Sequence, residues 1–373
     1  MKIIIAPDSF KGSLSAAEAA SCIERGIKNV IDCETVLIPM ADGGEGTVEA
    51  LAHTLGGKLV NVTVKGPLFD DVDAKYCIAG STAIIEMSAA SGITLVPRHR
   101  LDPLATTTYG TGQLMLDAIK KGCKKIVMGI GGSATTDGGV GMATALGVRF
   151  LDVNGDPILP CGGQLDKIHT IDISQISSEL KSIDMCIACD VTNPLCGENG
   201  ASMVFGPQKG ATPDIARLLD SNLWQLADKI YQQLGIEVRE LSGGGAAGGL
   251  GAALYAFCGA KLTRGFELIS ETVKLEERIL GADLIITGEG RTDSQTAFGK
   301  LPCGIGNTAR RLGIPCILIS GAIEGDLAPL YQNGISAAFS AVTHLTTLDD
   351  AMKNAAAYLE RAAGNAIRAY LMR

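Results

Sequence analysis

Seven carboxylates and four cations stand at strand ends or in glycine-rich turns of this chain. The acids are Asp8, Asp42, Glu45, Asp137, Asp190, Glu289 and Asp293, and the cations are Lys11, Lys209, Arg291 and Lys300. Phosphoryl transfer calls for such a set: cations and backbone donors around phosphates, carboxylates for Mg²⁺, and one carboxylate to take a hydroxyl proton. The densest stretch is Gly129-Ile130-Gly131-Gly132-Ser133-Ala134-Thr135-Thr136-Asp137-Gly138-Gly139. Glycines let backbone N–H groups approach a ligand, and a helix N-terminus adds partial positive charge. The stretch is therefore expected to hold an anion, the plainer alternative being a structural turn.

The elements that must position these groups follow from periodicity. Lys125–Met128 forms an apolar strand before the glycine loop, and Val140–Leu146 is helical after it. Residues 2–6 suit a central parallel strand. Ser15 and Glu18 can form a capping box for the helix that follows, whose buried stripe includes Ala19, Ile23 and Ile27. A strand at Thr35–Ile38 and a helix from Thr47 to Leu55 complete a βαβα run. Val60, Val62 and Val64, then Val72, Ala74, Tyr76 and Ile78, alternate with polar residues and predict an antiparallel meander running into the strand Ala83–Met87. A long helix is bounded by Thr212, Pro213 and Gly235, with a stripe of Ile215, Leu218, Leu219, Leu223, Leu226, Ile230 and Leu234. The glycine cluster around Gly243 opens another helix. From residue 283 the βα rhythm returns, with strands at Leu284–Ile286, Cys316–Ile319 and Ala337–Val342 and a final helix from Asp349 to Met372.

A parallel sheet split between the two ends of the chain predicts an α/β fold with an inserted second α/β domain carrying a mixed sheet. The expected boundaries are 1–65 with 283–373, and 66–282. Ligands of such sheets bind off the carboxyl ends of the strands, where Asp8, Ser9, Asp42, Glu289 and Arg291 are expected.

Composition narrows the function classes. Among 373 residues, 46% are hydrophobic and 19% charged, while 47 glycines sit in clusters without a period. The net charge of −8 argues against nucleic-acid binding, which calls for basic surface. No run of 18 apolar residues is present to span a membrane, and Pro7-Asp8 interrupts the first apolar run too soon for a signal peptide. The eleven cysteines are expected as reduced thiols. Cys186 and Cys189 share a strand on opposite faces, and His53, His99, His169 and His344 have no metal-ligand spacing. Gly299-Lys300 is followed by Leu301, so no Walker A motif is present. Gly129-x-Gly131-x-x-Ala134 with Asp152 about 20 residues on imitates a dinucleotide fingerprint, but Asp152 sits at a turn with Asn154-Gly155 rather than at a strand end.

Seven strings resemble signatures of the bacterial type I glycerate kinases. They are Pro7–Ser13, Pro39–Thr47, Thr107–Gly112, Gly131–Gly141, Ala188–Leu195, Phe205–Ala211 and Thr287–Asp293, the last continuing into Gln295-Thr296 and Gly299-Lys300. The likeness runs nearly end to end, departing at Thr136, where the family more often has Asn. The resemblance implies a cytoplasmic enzyme that moves the γ-phosphate of ATP to D-glycerate, usually giving 2-phosphoglycerate. It also implies a flavodoxin-like domain interrupted by a second α/β domain, with the site in the cleft between them. The catalytic candidates are Asp190 as the base, with Asp42 behind it, and Lys11. Candidates for binding substrate or phosphate are Asp8, Ser9, Gly131, Gly132, Ser133, Thr135, Asp137, Asn193, Lys209, Glu289, Arg291, Asp293 and Lys300. Asp42 and Glu45 are candidates for Mg²⁺. The other readings are a nicotinamide-dependent hydroxy-acid oxidoreductase and a non-catalytic small-anion binding protein. A monomer and a homodimer are both compatible with the sequence.

Overall fold

The computed structural model describes residues 1–293, 296 and 300–372. In chain order its strands are β1 (Lys2–Pro7), β2 (Glu34–Leu37), β3 (Lys58–Lys65), β4 (Asp71–Ala79), β5 (Thr82–Glu86), β6 (Lys125–Gly129), β7 (Arg149–Leu151), β8 (Thr170–Asp172), β9 (Asp184–Ala188), β10 (Lys261–Thr263), β11 (Leu284–Thr292), β12 (Cys316–Ile323) and β13 (Ala337–Ser340). They divide between two compact units. The first comprises Met1–Asp42, Glu49–Gly57 and Ile269–Arg373, the second Gly43–Val48 and Lys58–Leu268.

The first unit is built on a wholly parallel five-stranded sheet ordered β13-β12-β11-β1-β2. Counted along this unit alone, that is the doubly wound order 2-1-3-4-5 of flavodoxin-like folds. Ile3, Ile4 and Ile5 are all fully buried, as are Leu284, Ile285 and Ile286. Continuous rather than alternating burial is what a sheet covered on both faces requires, and each such side chain contributes about 1.5–3 kcal/mol. The helix Ala16–Lys28 starts on the expected capping box: Ser15 Oγ accepts from Glu18 N at 3.2 Å, and Glu18 Oε2 accepts from Ser15 N at 2.8 Å. It packs beside the C-terminal helix Ala355–Leu371, with Ile23, Ile27, Ala363 and Ile367 in one core.

Two expectations for this unit change. β11 does not end at Ile286 but continues to Thr292, paired with β12 as far as Ile323. Gly288, Gly290 and Gly321 permit it, since a Cβ at Gly288 would strike the carbonyl of Ile319 and one at Gly321 the carbonyl of Gly290. The final helix is two, Leu348–Lys353 and Ala355–Leu371. Asn354 stands at the break (φ −101°, ψ 12°), its side-chain amide donating to the carbonyl and carboxylate of Asp350 at 3.1 and 3.0 Å.

The second unit holds a six-stranded mixed sheet, β10-β9-β6-β5-β4-β3, in which β3, β4 and β5 form the expected antiparallel meander and the others run parallel. Its core gathers Tyr76, Ile85, Met128, Ile187, Leu223 and Leu250. The helix Pro213–Leu234 starts at Thr212, whose hydroxyl accepts from Ile215 N, and stops at left-handed Gly235. Leu219, Leu223, Leu226 and Ile230 are its buried stripe, whereas Leu218 is half exposed. β7 and β8 form a two-stranded ribbon that periodicity does not reveal. The glycine cluster opens no regular helix at once: Ala247, Gly248 and Gly249 are left-handed before the turns straighten toward Cys258.

The division also departs from the expected boundaries. β3 pairs with β4 along its whole length, which places residues 58–65 in the second unit, while residues 269–282 belong to the first. Residues 43–48 belong to the second unit too; there Val48 N donates to the buried carboxylate of Glu86 at 2.8 Å.

Candidate active site

In the first unit the sheet order reverses between β1 and β11, the switch point where doubly wound folds bind ligands. β1 delivers Asp8, Ser9 and Lys11, and the chain beyond β2 delivers Asp42. The extension of β11 delivers Glu289, Arg291 and Asp293, with Lys300 just before the helix Leu301–Arg311. All eight line one cavity of about 560 Å³. These eight residues, expected from strand ends and loop chemistry, are brought together.

Their electrostatics are unequal. Asp8 is pushed up to about 7, first by burial, then by the charge of Asp42; the bond from Ser9 N (2.6 Å) and the charge of Lys11 pull the other way. Glu289 is buried and also raised, although the hydroxyls of Thr292 and Thr296 donate to its Oε1 at 2.9 and 2.8 Å. Ser320 Oγ steadies the same residue from β12 by donating to its carbonyl at 3.1 Å. Lys300 Nζ lies 3.9 Å from Asp293, and Arg291 donates to Glu324 at 2.6 Å. The Arg291 pair is well exposed and the Lys300 pair partly so; pairs in contact with solvent are worth about 0–1 kcal/mol, so a ligand's phosphates can compete for either cation. Thr292, Thr296 and Ser320 were not singled out as site residues from the sequence; their signal is the hydroxyl run around Glu289. Gln295 and Gly299 lie outside the described residues.

The remaining candidates sit in the second unit, and their surroundings differ. Asp137 is fully buried. Its Oδ2 accepts from Thr108 N (2.8 Å), Thr108 Oγ1 (2.7 Å) and Gly141 N (3.1 Å), and its Oδ1 from Gly139 N (3.1 Å). The anion at the start of the helix Val140–Ala145 is thus the chain's own carboxylate. Burial pushes that carboxyl up, and the four donors pull it down. Lys209 is almost wholly buried, its Nζ donating to Thr135 O at 2.5 Å. Burial brings it down to about 7 against the attraction of Asp137. Thr135 and Thr136 are fully buried, with hydroxyls that have no protein partner. Ser133 is buried beside Gly92, and within the loop Gly131 and Gly132 are the exposed residues. Asp190 is exposed at the end of β9, its Oδ1 accepting from Gly265 N at 2.8 Å. Asn193 Nδ2 donates to Asn199 O at 2.8 Å, and Glu45 is exposed in the 43–48 turn. Asp152 accepts from Asn154 N and Asp156 N and so holds its own turn. All eleven cysteines are free thiols.

Among the described residues no group of three or more His, Cys, Asp or Glu could enclose a metal ion. Mg²⁺ asks for less, one or two carboxylates with water and phosphate oxygens filling the rest. Asp8, whose ionisation the charge of Asp42 makes costlier, fits with Asp42 a cation of that kind. No described helix is long and apolar enough to cross a membrane.

Comparison with known proteins agrees with this chemistry. Residues 3–371 match the profile of the glycerate kinase family. The chain is 49% identical over 366 residues to a glycerate kinase of Halalkalibacterium halodurans, covering 97% of this chain and 96% of that one. It is 48% identical over 368 residues to the glycerate 2-kinase of Escherichia coli, covering 98% and 97%. A crystal structure from Salmonella typhimurium LT2, provisionally described as glycerate kinase 2, superposes with a TM-score of 0.92 at 47% identity over the whole of both chains. With the doubly wound sheet and its charged switch point, these likenesses make the chain a kinase, and it belongs to the glycerate kinase family.

Proposed function

We propose that this kinase moves the γ-phosphate of ATP to the C2 hydroxyl of D-glycerate, giving 2-phosphoglycerate, with Mg²⁺ as cofactor. The observation that carries the reading is the gathering of Lys11, Lys300 and Arg291 with Asp8, Asp42 and Glu289 in one cavity at the switch point. Its support for position 2 is the likeness to the Escherichia coli glycerate 2-kinase.

Lys11, Lys300 and Arg291 neutralise phosphate oxygens, which costs the protein no reorganisation when they are already in place. Asp42, with Asp8 beside it, and separately Glu45 are the candidates for Mg²⁺; bound at Asp42, the ion would offset charge on the phosphates. Asp190 is the first candidate for the carboxylate that takes the hydroxyl proton as the new P–O bond forms and ADP departs, with Asp42 second. In the glycine loop, contact with a carboxylate or phosphate falls to the exposed backbone of Gly131 and Gly132, with Ser133 and Thr135 shaping the loop behind them. Asp137 and Lys209 act on any ligand through that loop.

The test is direct. The protein is mixed with D-glycerate, ATP and Mg²⁺, ADP release is followed, and the product is read by proton-coupled ³¹P NMR. The expected signal is a doublet, from phosphorus next to the single proton at C2. A triplet would move the product to position 3, and no ADP release with D-glycerate would remove the reading.

A further inference from the structure

We propose that the apolar end of the first unit's cavity is the seat of the nucleotide's purine base and ribose, with the triphosphate running toward Lys11. This rests on the kinase reading and names a subsite within it. The cavity, about 560 Å³, lies within the range of about 300–1,000 Å³ typical of small-molecule sites, and a three-carbon acid cannot fill it. Its two ends differ in chemistry. The polar end holds the groups already described. The other is walled by Val342, just past β13, and by Leu348, Ala351, Met352, Ala355 and Tyr358 from the two helices that meet at Asn354.

Four features of that wall point to a flat, largely apolar group as its occupant. The alanines leave room beside larger neighbours. Leu348 is 74% exposed, an apolar side chain held in water beside a cavity rather than packed in a core. The Tyr358 hydroxyl already donates to Asp350 at 3.1 Å. Met352, finally, lies against the phosphate-side loop: a Cβ at Gly12 would come within 2.6 Å of Met352 Cε, so the apolar wall abuts the Phe10–Ser13 turn that carries Lys11. A ligand with an apolar ring system at one end and several anionic groups at the other satisfies both ends at once. A nucleoside triphosphate is such a ligand, whereas glycerate has no use for the wall.

The experiment combines calorimetric titration of Mg-ADP with steady-state kinetics in ATP and D-glycerate, on the full chain. Ala351→Trp fills the apolar end. Met352→Ala trims it without adding bulk and stands in if the tryptophan variant does not fold, as judged by circular dichroism and thermal melting. Ala351→Trp is expected to weaken ADP binding and raise KM for ATP by about tenfold or more, equivalent to about 1.4 kcal/mol, with KM for D-glycerate within about twofold. Met352→Ala moves the same two quantities in the same direction by a smaller factor. Folded variants that bind ADP like the parent, or whose defect falls on D-glycerate, overturn the subsite while leaving the kinase reading intact. An ADP affinity that responds to Ala351→Trp in a protein that does not phosphorylate glycerate upholds the subsite and overturns D-glycerate as the acceptor.

Discussion

The switch-point cavity and the 129–141 loop look alike on paper, each a run of glycines studded with acids and a lysine. In the first, Lys11 is exposed, the ion pair of Arg291 lies open to solvent, and that of Lys300 is partly open. In the second, Asp137 collects four donors from its own surroundings and Lys209 is sealed against Thr135 O. Density of charge and glycine therefore does not separate a ligand site from a self-contained turn. What separates them is whether the cations retain solvent access, because a fully buried ion must be satisfied by the protein itself.

That contrast can be broken. Asp137→Ala strips four donors of their acceptor and leaves Lys209 without its countercharge, so unfolding in denaturant should show a loss of about 3–5 kcal/mol. If stability holds and activity alone collapses, Asp137 itself serves a ligand rather than the turn. Asp42→Asn should do the opposite, lowering kcat about a thousandfold, or about 4 kcal/mol of barrier, with stability the same or higher because the like charge facing Asp8 is gone. A stable, active Asp42→Asn enzyme would remove the cavity from the chemistry.

The burial of Lys209 also has a pH signature. Its ammonium is held down to about 7 from 10.5, so the unfolded chain binds the extra proton between those values. The resulting contribution to stability is fully present above 10.5 and is lost as pH falls through 7. Relative to Lys209→Met, the parent protein should gain stability as pH rises from 7 to 10, and parallel curves would mean that the lysine is not buried in solution. The smallest expected effect is Asp190→Asn. A fall in kcat of more than about tenfold, roughly 1.4 kcal/mol of barrier, keeps Asp190 as the base, and anything less passes that role to Asp42.

Much of the fold was legible because its cues are local. The Ser15–Glu18 box, the Thr212 and Gly235 caps, the unbroken apolar strands and the alternating meander each depend on residues within a few positions of one another. So did the clustering of Asp8, Lys11, Asp42 and Glu289, since strand ends of a parallel sheet share an edge. What the sequence hid depends on distant partners. β11 runs on through Gly288 and Gly290 because β12 presents its backbone to them. Val48 joins the second unit through Glu86, 38 positions away. Asp137 turns inward because Thr108, 29 positions earlier, offers it two donors. The break at Asn354 is local, but a helix-compatible side chain bonding back to Asp350 looks no different in sequence from an ordinary polar position. The apolar wall of Val342, Leu348 and Met352 was likewise hidden, since periodicity cannot distinguish a side chain facing a core from one facing a void.

The inward carboxylate of Asp137 also bears on motion. A phosphate-binding turn whose amides wait for their anion is mobile until the anion arrives, and ordering it consumes part of the binding energy. Here the amides of Gly139 and Gly141 are already held by an anion the chain carries with it. Those two amides therefore cost a ligand nothing to order, and equally offer it nothing to bind.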